Sequence, residues 1–185
     1  MTKRKGLTFS HMGFYVHDLE RMAGFYADVL DFTVTDRGHL PTPQGRVELV
    51  FLSRDPEHHH QIVLASGRPE TLAFNVINQI SLMADSLQTL QEFHGRLQQA
   101  PVSDIQPVTH GNAVSIYFRD PELNRIELYV DLPWYVSQPA RVPLPIELPH
   151  DELMAWAEQH ARTLPGFRPR EAWQADMARR MGIGA

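Results

Sequence analysis

Two stretches of this sequence decide its fold: "FLSRDPEHHHQIVL" at residues 51–64 and "YFRDPELNRIELYV" at residues 117–130. Each places the tetrapeptide Arg-Asp-Pro-Glu between two apolar runs. Aspartate followed by proline is typical of a tight turn, because proline fixes φ near the value that the second turn position needs and the aspartate side chain bonds to the nearby backbone. Each stretch is therefore predicted to be a hairpin, and the chain contains it twice.

The segments that precede the two hairpins also correspond to each other. Alternation of side chains along residues 8–15 predicts a strand, after which Asp18 is suited to cap a helix with apolar residues at helical spacing. In the second half, a strand through residues 80–82 precedes a second helix, which either Asp85 or Ser86 is suited to cap. Each half is therefore predicted to form a strand, a helix and about three further strands. The chain thus contains two copies of a βαβββ module.

This repeat predicts an α+β protein with one domain over residues 1–132, in which module 1 spans about 7–66 and module 2 about 77–131. Neither module has enough core alone, so we expect the two to pack side by side as a curved sheet with the helices outside. Residues 133–185 form a C-terminal extension, first proline-rich and then helical, that we expect to pack on the domain or at a subunit interface.

The composition limits the classes of function. The chain has a net charge of −5, no cysteine, and no Lys/Arg cluster beyond residues 3–5, which argues against a nucleic-acid partner, a disulfide and a thiol nucleophile. No apolar run approaches the length of a membrane span, and the N-terminus lacks the apolar stretch of a signal peptide. We therefore expect a cytoplasmic protein with no membrane partner. Ten histidines are a surplus that hints at metal or acid–base chemistry.

Strand parity predicts which polar side chains share a face. In module 2 the parity opposite to the apolar one includes Gln79, Tyr117 and Glu127, and in module 1 the corresponding face includes His11 and His60. Taken singly, each of these residues has an ordinary structural explanation, such as hydrogen bonding or packing. Together, a carboxylate, an amide and imidazoles converging inside a sheet indicate a metal, since a buried charge is costly without a partner.

With these elements in place, residues 7–131 resemble the vicinal oxygen chelate superfamily, and the best local marker is "IYFRDPELNRIELYVD". The superfamily includes glyoxalase I, fosfomycin and bleomycin resistance proteins, and type I extradiol dioxygenases. The resemblance implies a U-shaped, half-barrel mixed sheet around a divalent metal, with His11 and Glu127 as ligands. Gln79 occupies the position of the second histidine ligand of the dioxygenases, and some glyoxalases use glutamine as a ligand.

Within the superfamily, the chain is most similar to the single-unit extradiol (catechol 2,3-) dioxygenases. The segments "EHHHQIVL" and "PVTHGNAVSIYF" resemble those that carry two active-site histidines and a tyrosine, which places the catalytic roles on His60, His110 and Tyr117. The resemblance implies cleavage of a small catechol-like aromatic diol with O2 on Fe(II), with Mn(II), Ni(II) or Zn(II) as alternatives, and a homodimer is common among such folds. Which histidine is the acid or base stays open.

Two other functions fit the same scaffold. One is a metal-dependent, glyoxalase-like isomerase or lyase with a redox-inactive metal, which the glutamine at Gln79 favours. The other is a resistance-type protein that binds an aromatic ligand without metal or turnover.

Overall fold

The two predicted βαβββ modules are present in the computed structural model, which describes residues 8–43, 45–71 and 74–182. Module 1 consists of β1 (Met12–Val16), α1 (Leu19–Asp28), β2 (Thr33–Thr42), β3 (Gly45–Ser53) and β4 (Ile62–Ser66). Module 2 consists of β5 (Ile80–Met83), α2 (Leu87–Leu97), β6 (Ser103–Thr109), β7 (Ala113–Arg119) and β8 (Arg125–Asp131).

Each module folds into its own sheet with the same strand order. The first sheet runs β1-β4-β3-β2, and the corresponding strands of the second run β5-β8-β7-β6. In both, the first and last strands of the module pair in parallel, and all the other pairs of the module are antiparallel. The predicted α+β class with mixed sheets is thus confirmed. Across the described residues, no strand of one sheet pairs with a strand of the other, so β1 and β5 are both edge strands.

The helices cover one face of the sheets, as strand parity predicts. The apolar parity of the module 2 strands packs into a core shared by both modules: Leu82 and Val130 are partly buried, and five side chains are buried, namely Ile80, Ile116, Phe118, Ile126 and Leu128. Helix α1 is capped by Asp18, whose Oδ1 accepts from the backbone N–H of Arg21 at 2.9 Å. Helix α2 is capped by Ser86, and not by Asp85. The opposite face of the sheets is left for the polar side chains.

The C-terminal extension packs on module 2. It contains β9 (Trp134–Tyr135), β10 (Val142–Pro143), α3 (His150–Ala161), β11 (Arg168–Pro169) and α4 (Arg170–Arg180). Strand β10 pairs with β6 and adds a fifth strand at the edge of the second sheet. Trp134, Leu144 and Leu153 pack into the common core. Within the described ranges, no helix is both long and apolar enough to cross a membrane.

The repeated tetrapeptide forms the same turn in both modules. In the first copy, Oδ1 of Asp55 accepts from the backbone N–H of Glu57 at 2.9 Å, and in the second Oδ1 of Asp120 accepts from that of Glu122 at 2.9 Å. The backbone carbonyls of both aspartates also accept from the residue that follows the glutamate. The predicted hairpin turns are confirmed, and the aspartate is the residue that closes each of them.

The second turn also joins the two modules. The Glu122 carboxylate accepts from the backbone N–H groups of His17, at 2.8 and 2.9 Å, and Asp18, at 2.8 Å, where α1 begins. Arg68 lies 3.4 Å from the same carboxylate, and the Glu122 side chain is only 5% exposed. A carboxylate at a helix N-terminus is stabilised by the free N–H groups and by the helix dipole. We call this contact the Glu122 joint.

Among the residues that the structure describes, the first turn forms no equivalent joint. Glu57 is exposed and does not reach module 2. Where an equivalent contact would lie, there is a cavity of about 550 Å³ between the modules, lined in part by His58, Asp85 and Phe93. Asp85 precedes Ser86, the N-cap of α2, just as His17 precedes Asp18, the N-cap of α1. A glutamate reaching this position would meet a carboxylate of like charge. The modules are therefore joined on one side and separated by a cavity on the other.

We expect Glu122→Gln to lower the free energy of unfolding by about 3 kcal/mol, because it leaves the half-buried Arg68 and the N-terminus of α1 without their anion. Urea unfolding at pH 7 measures the change. Glu57→Gln, in the exposed turn, is the matched control and should stay within about 0.5 kcal/mol of the parent chain. Equal effects of the two substitutions would show that the joint contributes nothing specific.

Candidate metal centre

Glu127 is the centre of a polar cluster on the sheet face opposite the helices. It lies in β8 and is only 7% exposed. Its Oε2 accepts hydrogen bonds from Nε2 of Gln79 at 2.8 Å and from Oγ of Ser81, the residue opposite it in β5, at 2.5 Å. In the part of the chain that the structure describes, no lysine or arginine forms an ion pair with this carboxylate. A buried carboxylate held by neutral donors retains a charge that a cation would balance.

His110 and Tyr117 adjoin this carboxylate. The Tyr117 hydroxyl lies 3.0 Å from Nε2 of His110, and the same nitrogen lies 3.7 Å from Oε1 of Glu127. The other ring nitrogen, Nδ1, lies 2.7 Å from the backbone carbonyl of Ala140 in the C-terminal extension. Because a carbonyl only accepts, Nδ1 carries a hydrogen, and in the neutral ring Nε2 is then the acceptor for the Tyr117 hydroxyl.

The Tyr117 phenol is a hydrogen-bond donor over the whole physiological range. Burial raises its pKa to about 12, and the hydrogen bond and negative charge of Glu127 act in the same direction. Ionisation would place a second negative charge beside the carboxylate. Tyr117 therefore keeps its proton, which it can offer to His110 or to a ligand.

Module 1 contributes a separate pair of imidazoles. The rings of His11 and His60 meet edge to face with their centroids 4.3 Å apart, and the ring of Phe51 lies 5.2 Å from that of His60. Partial burial lowers the pKa of His60, and the neighbouring His11 and His59 lower it further. His60 is therefore neutral near pH 7, the form in which an imidazole binds a metal or accepts a proton.

The structure brings the predicted site residues together as two half-sites. One contains Gln79, His110, Tyr117 and Glu127, and the other contains His11 and His60. Over the residues that the structure describes, no three His, Asp or Glu side chains lie close enough to hold a metal. The ligand set of His11, Gln79 and Glu127 thus remains a prediction that joins the two half-sites.

The symmetry of the modules is consistent with this ligand set. Gln79 lies two residues before Ser81, which pairs with Glu127, and His11 lies two residues before Gly13, which pairs with Val63 on β4. His11 and Gln79 therefore occupy equivalent places in the two parallel pairs. Val63 of module 1 is the counterpart of Glu127 in module 2. At this pair of equivalent positions, module 2 has a carboxylate and module 1 has an apolar side chain.

The chemistry of the donors fits a divalent metal. Gln79 donates through Nε2 to Glu127, which leaves its Oε1 free to bind a cation. The carboxylate and amide oxygens, together with neutral imidazoles, are ligands that suit Mn(II), Fe(II) and Zn(II).

Two participants in the cluster lay outside the residues predicted for the site. Strand parity places Ser81 on the same face as Gln79, which was the available signal for its hydrogen bond to Glu127. The contact of His110 with the carbonyl of Ala140 could not be predicted from the sequence. Every residue has a backbone carbonyl, so nothing in the sequence distinguishes this one, 30 residues from His110.

A family profile covers both modules of the chain. The profile of the glyoxalase/bleomycin resistance protein/dioxygenase superfamily matches residues 8–128. The chain belongs to this superfamily. Two curated relatives are the biphenyl-2,3-diol 1,2-dioxygenases 2 and 3 of Rhodococcus globerulus, each 27% identical over 126 residues. That match covers 66% of this chain and 62% of each relative, so the chain spans less than two thirds of their length.

Solved structures of the superfamily share the fold. A glyoxalase/bleomycin resistance protein/dioxygenase domain from Frankia sp. EAN1pec superposes with a TM-score of 0.57 at 21% identity, covering 70% of this chain and 100% of that one. The fosfomycin resistance protein FosX from Listeria monocytogenes, with Mn(II) and sulfate bound, gives a TM-score of 0.50 at 19% identity, covering 70% and 95%. The extension from residue 133 onward lies beyond the end of the family profile.

We expect the Tyr117 phenol to titrate near pH 12 in metal-free protein. The difference in absorbance at 295 nm between the parent chain and Tyr117→Phe isolates this phenol. Because the folded-state pKa is raised above the usual value of 10, the stability that the proton contributes is complete below pH 10 and is lost as the pH rises towards 12. In Glu127→Gln the midpoint should fall towards 10, and a midpoint near 10 in the parent chain would contradict the assignment.

Proposed function

We propose that this superfamily member is a metal-dependent extradiol-type dioxygenase, which cleaves a catechol-like aromatic diol with O2. The observation that carries the proposal is the buried Glu127 carboxylate with the hydrogen-bonded pair of His110 and Tyr117 beside it. This pairing of a carboxylate with an acid–base pair suits a diol that must lose protons as it binds. The names of the two curated relatives, both biphenyl-2,3-diol dioxygenases, support the same class of substrate.

The metal would be held by His11, Gln79 and Glu127, with Fe(II) favoured and Mn(II), Ni(II) or Zn(II) as alternatives. A bound divalent metal lowers the pKa of a coordinated hydroxyl and gathers the reactants at one centre. Gln79 replaces an imidazole by an amide oxygen, which keeps the ligand neutral and makes it a weaker donor. We therefore expect iron to bind less tightly than it would to a histidine at this position.

The side chains beside the Glu127 carboxylate would accept and donate the protons of the reaction. Nε2 of His110 is the acceptor nitrogen of a ring whose other nitrogen is fixed on Ala140, and once the Tyr117 hydroxyl turns to the substrate it is placed to take a proton from a diol hydroxyl. Tyr117 stays protonated and would donate to the substrate oxygen. His60, neutral because its pKa is lowered, would serve as the acceptor on the side of module 1.

The cavity of about 550 Å³ between the modules is distinct from the proposed diol site. Its lining includes Ile80, Phe93 and Leu128, which belong to the apolar core. None of the residues proposed to hold the metal or to transfer protons lines it. The diol is therefore proposed to bind at the polar cluster around Glu127 and not in this cavity.

A glyoxalase-like isomerase or lyase is the second candidate, and Gln79 is the residue that favours it. An amide oxygen in place of an imidazole suits a metal that acts only as a Lewis acid. This candidate predicts activity with Ni(II) or Zn(II) and no consumption of oxygen.

The direct test is metal analysis of anaerobically purified protein, followed by oxygen uptake with catechol and biphenyl-2,3-diol. We expect about one Fe(II) per chain, and uptake of one O2 per diol with a yellow ring-opened product. Glu127→Gln should remove the bound metal and lower kcat/KM by roughly 10²-fold or more, since a ligand is lost. Glu57→Gln is the control, because it makes the same glutamate-to-glutamine change in the exposed first turn. Full activity of Glu127→Gln with metal retained would refute the proposal, and Zn(II) or Ni(II) without oxygen uptake would select the second candidate.

Gln79→His tests the ligand assignment separately. If Gln79 holds the metal, the imidazole should tighten Fe(II) binding by about 10-fold, because it is the stronger donor. Competition with a chromogenic chelator measures the affinity without any turnover. Gln79→Ala should weaken the same affinity, and an unchanged affinity in both variants would show that Gln79 is not a ligand.

A further inference from the structure

Two arginines lie over the ring of Tyr117. The guanidinium carbon of Arg125 is 4.3 Å from the ring centroid, and that of Arg141 is 5.3 Å from it. Arg125 lies on β8 two residues before Glu127, and therefore on the same face of the sheet. Arg141 comes from the C-terminal extension and donates through Nη2 to Oε1 of Gln106 at 2.5 Å. Two positive charges from separate parts of the chain thus lie near the ring of one residue of the candidate site.

Neither charge is balanced by a protein carboxylate in the described part of the chain. Arg119, on the same face, pairs with Asp104 at 3.8 Å, whereas Arg125 and Arg141 form no such pair. The Glu127 carboxylate is already bonded to neutral donors and is the residue proposed to hold the metal. Two cations near one ring repel each other, and an anion between or beside them would relieve that repulsion.

We propose that Arg125 and Arg141 bind a carboxylate on the substrate, so that the substrate class is a carboxylated aromatic diol. This inference rests on the proposed function, because it concerns the same site. A guanidinium binds a carboxylate through two parallel hydrogen bonds, which fixes the orientation of the ligand as well as its charge. The diol would then face Glu127 and His110 while the acid group lies on the arginines.

Arg141 lies outside the family profile, which ends at residue 128, in the extension that packs on β6. Biphenyl-2,3-diol, the compound in the names of the curated relatives, has no carboxylate group. A requirement for an acid group would therefore distinguish this protein from those relatives.

The test compares acids with their own neutral esters. The panel is 2,3-dihydroxybenzoate, 3,4-dihydroxybenzoate, 3,4-dihydroxyphenylacetate and 3-(2,3-dihydroxyphenyl)propionate, each beside its methyl ester, assayed by oxygen uptake with the iron-loaded protein. We expect at least one acid to exceed its ester in kcat/KM by about 10-fold or more, an effect typical of one charged hydrogen-bonded contact. In the Arg125→Gln, Arg141→Gln double variant, that ratio should fall to about 1. Arg119→Gln, whose arginine is already paired, should leave the ratio as it is in the parent chain.

Binding of the acids to metal-free protein, measured by calorimetry, separates this inference from the proposed reaction. If no diol is cleaved but an acid binds and the arginine substitutions abolish that binding, the reaction fails and the anion site stands. If diols are cleaved with equal kcat/KM for acids and esters, and the arginine variants behave as the parent chain does, the anion site is overturned and the reaction stands. Circular dichroism establishes that each variant is folded.

Discussion

The carboxylate of Glu122 on the backbone amides of His17 and Asp18, just before α1, is the contact that sets the two modules against each other. The sheets are not hydrogen-bonded edge to edge within the described residues, so their relative position depends on this joint and on the apolar core behind it. The site depends on the same contact, because its histidine half belongs to module 1 and its carboxylate half to module 2. A shift at the joint would change the distance between His11 and Glu127 directly.

Within module 2, the site is organised by one buried charge. Gln79 and Ser81 orient the Glu127 carboxylate, and burial together with this carboxylate raises the pKa of the Tyr117 phenol and keeps it protonated. The protonated phenol requires an acceptor, and the carbonyl of Ala140 ensures that His110 presents one. These groups form one hydrogen-bonded unit, so the donor or acceptor role of each is set by its neighbours.

Much of this architecture was predictable from the sequence, because periodicity and turn chemistry are local. The repeated turn, the two modules, the helices and the buried face of each strand followed from spacing alone, and so did the shared face of Gln79, Tyr117 and Glu127. Contacts between distant segments could not be predicted in this way. Nothing local shows that Glu122 reaches α1, or that Arg141 returns to the ring of Tyr117. The separation of His11 from Glu127 depends on how the sheets pack, which strand parity does not describe.

The pairing of β10 with β6 has a consequence for how this protein can change. One short strand places the carbonyl that fixes the His110 tautomer and the guanidinium that lies over Tyr117, only one residue apart. In the proposed reaction, the proton acceptor and the choice of ligand therefore both depend on a segment outside the repeated modules. We expect substitutions in that segment to change which ligand is preferred while the sheets and their turns stay as they are.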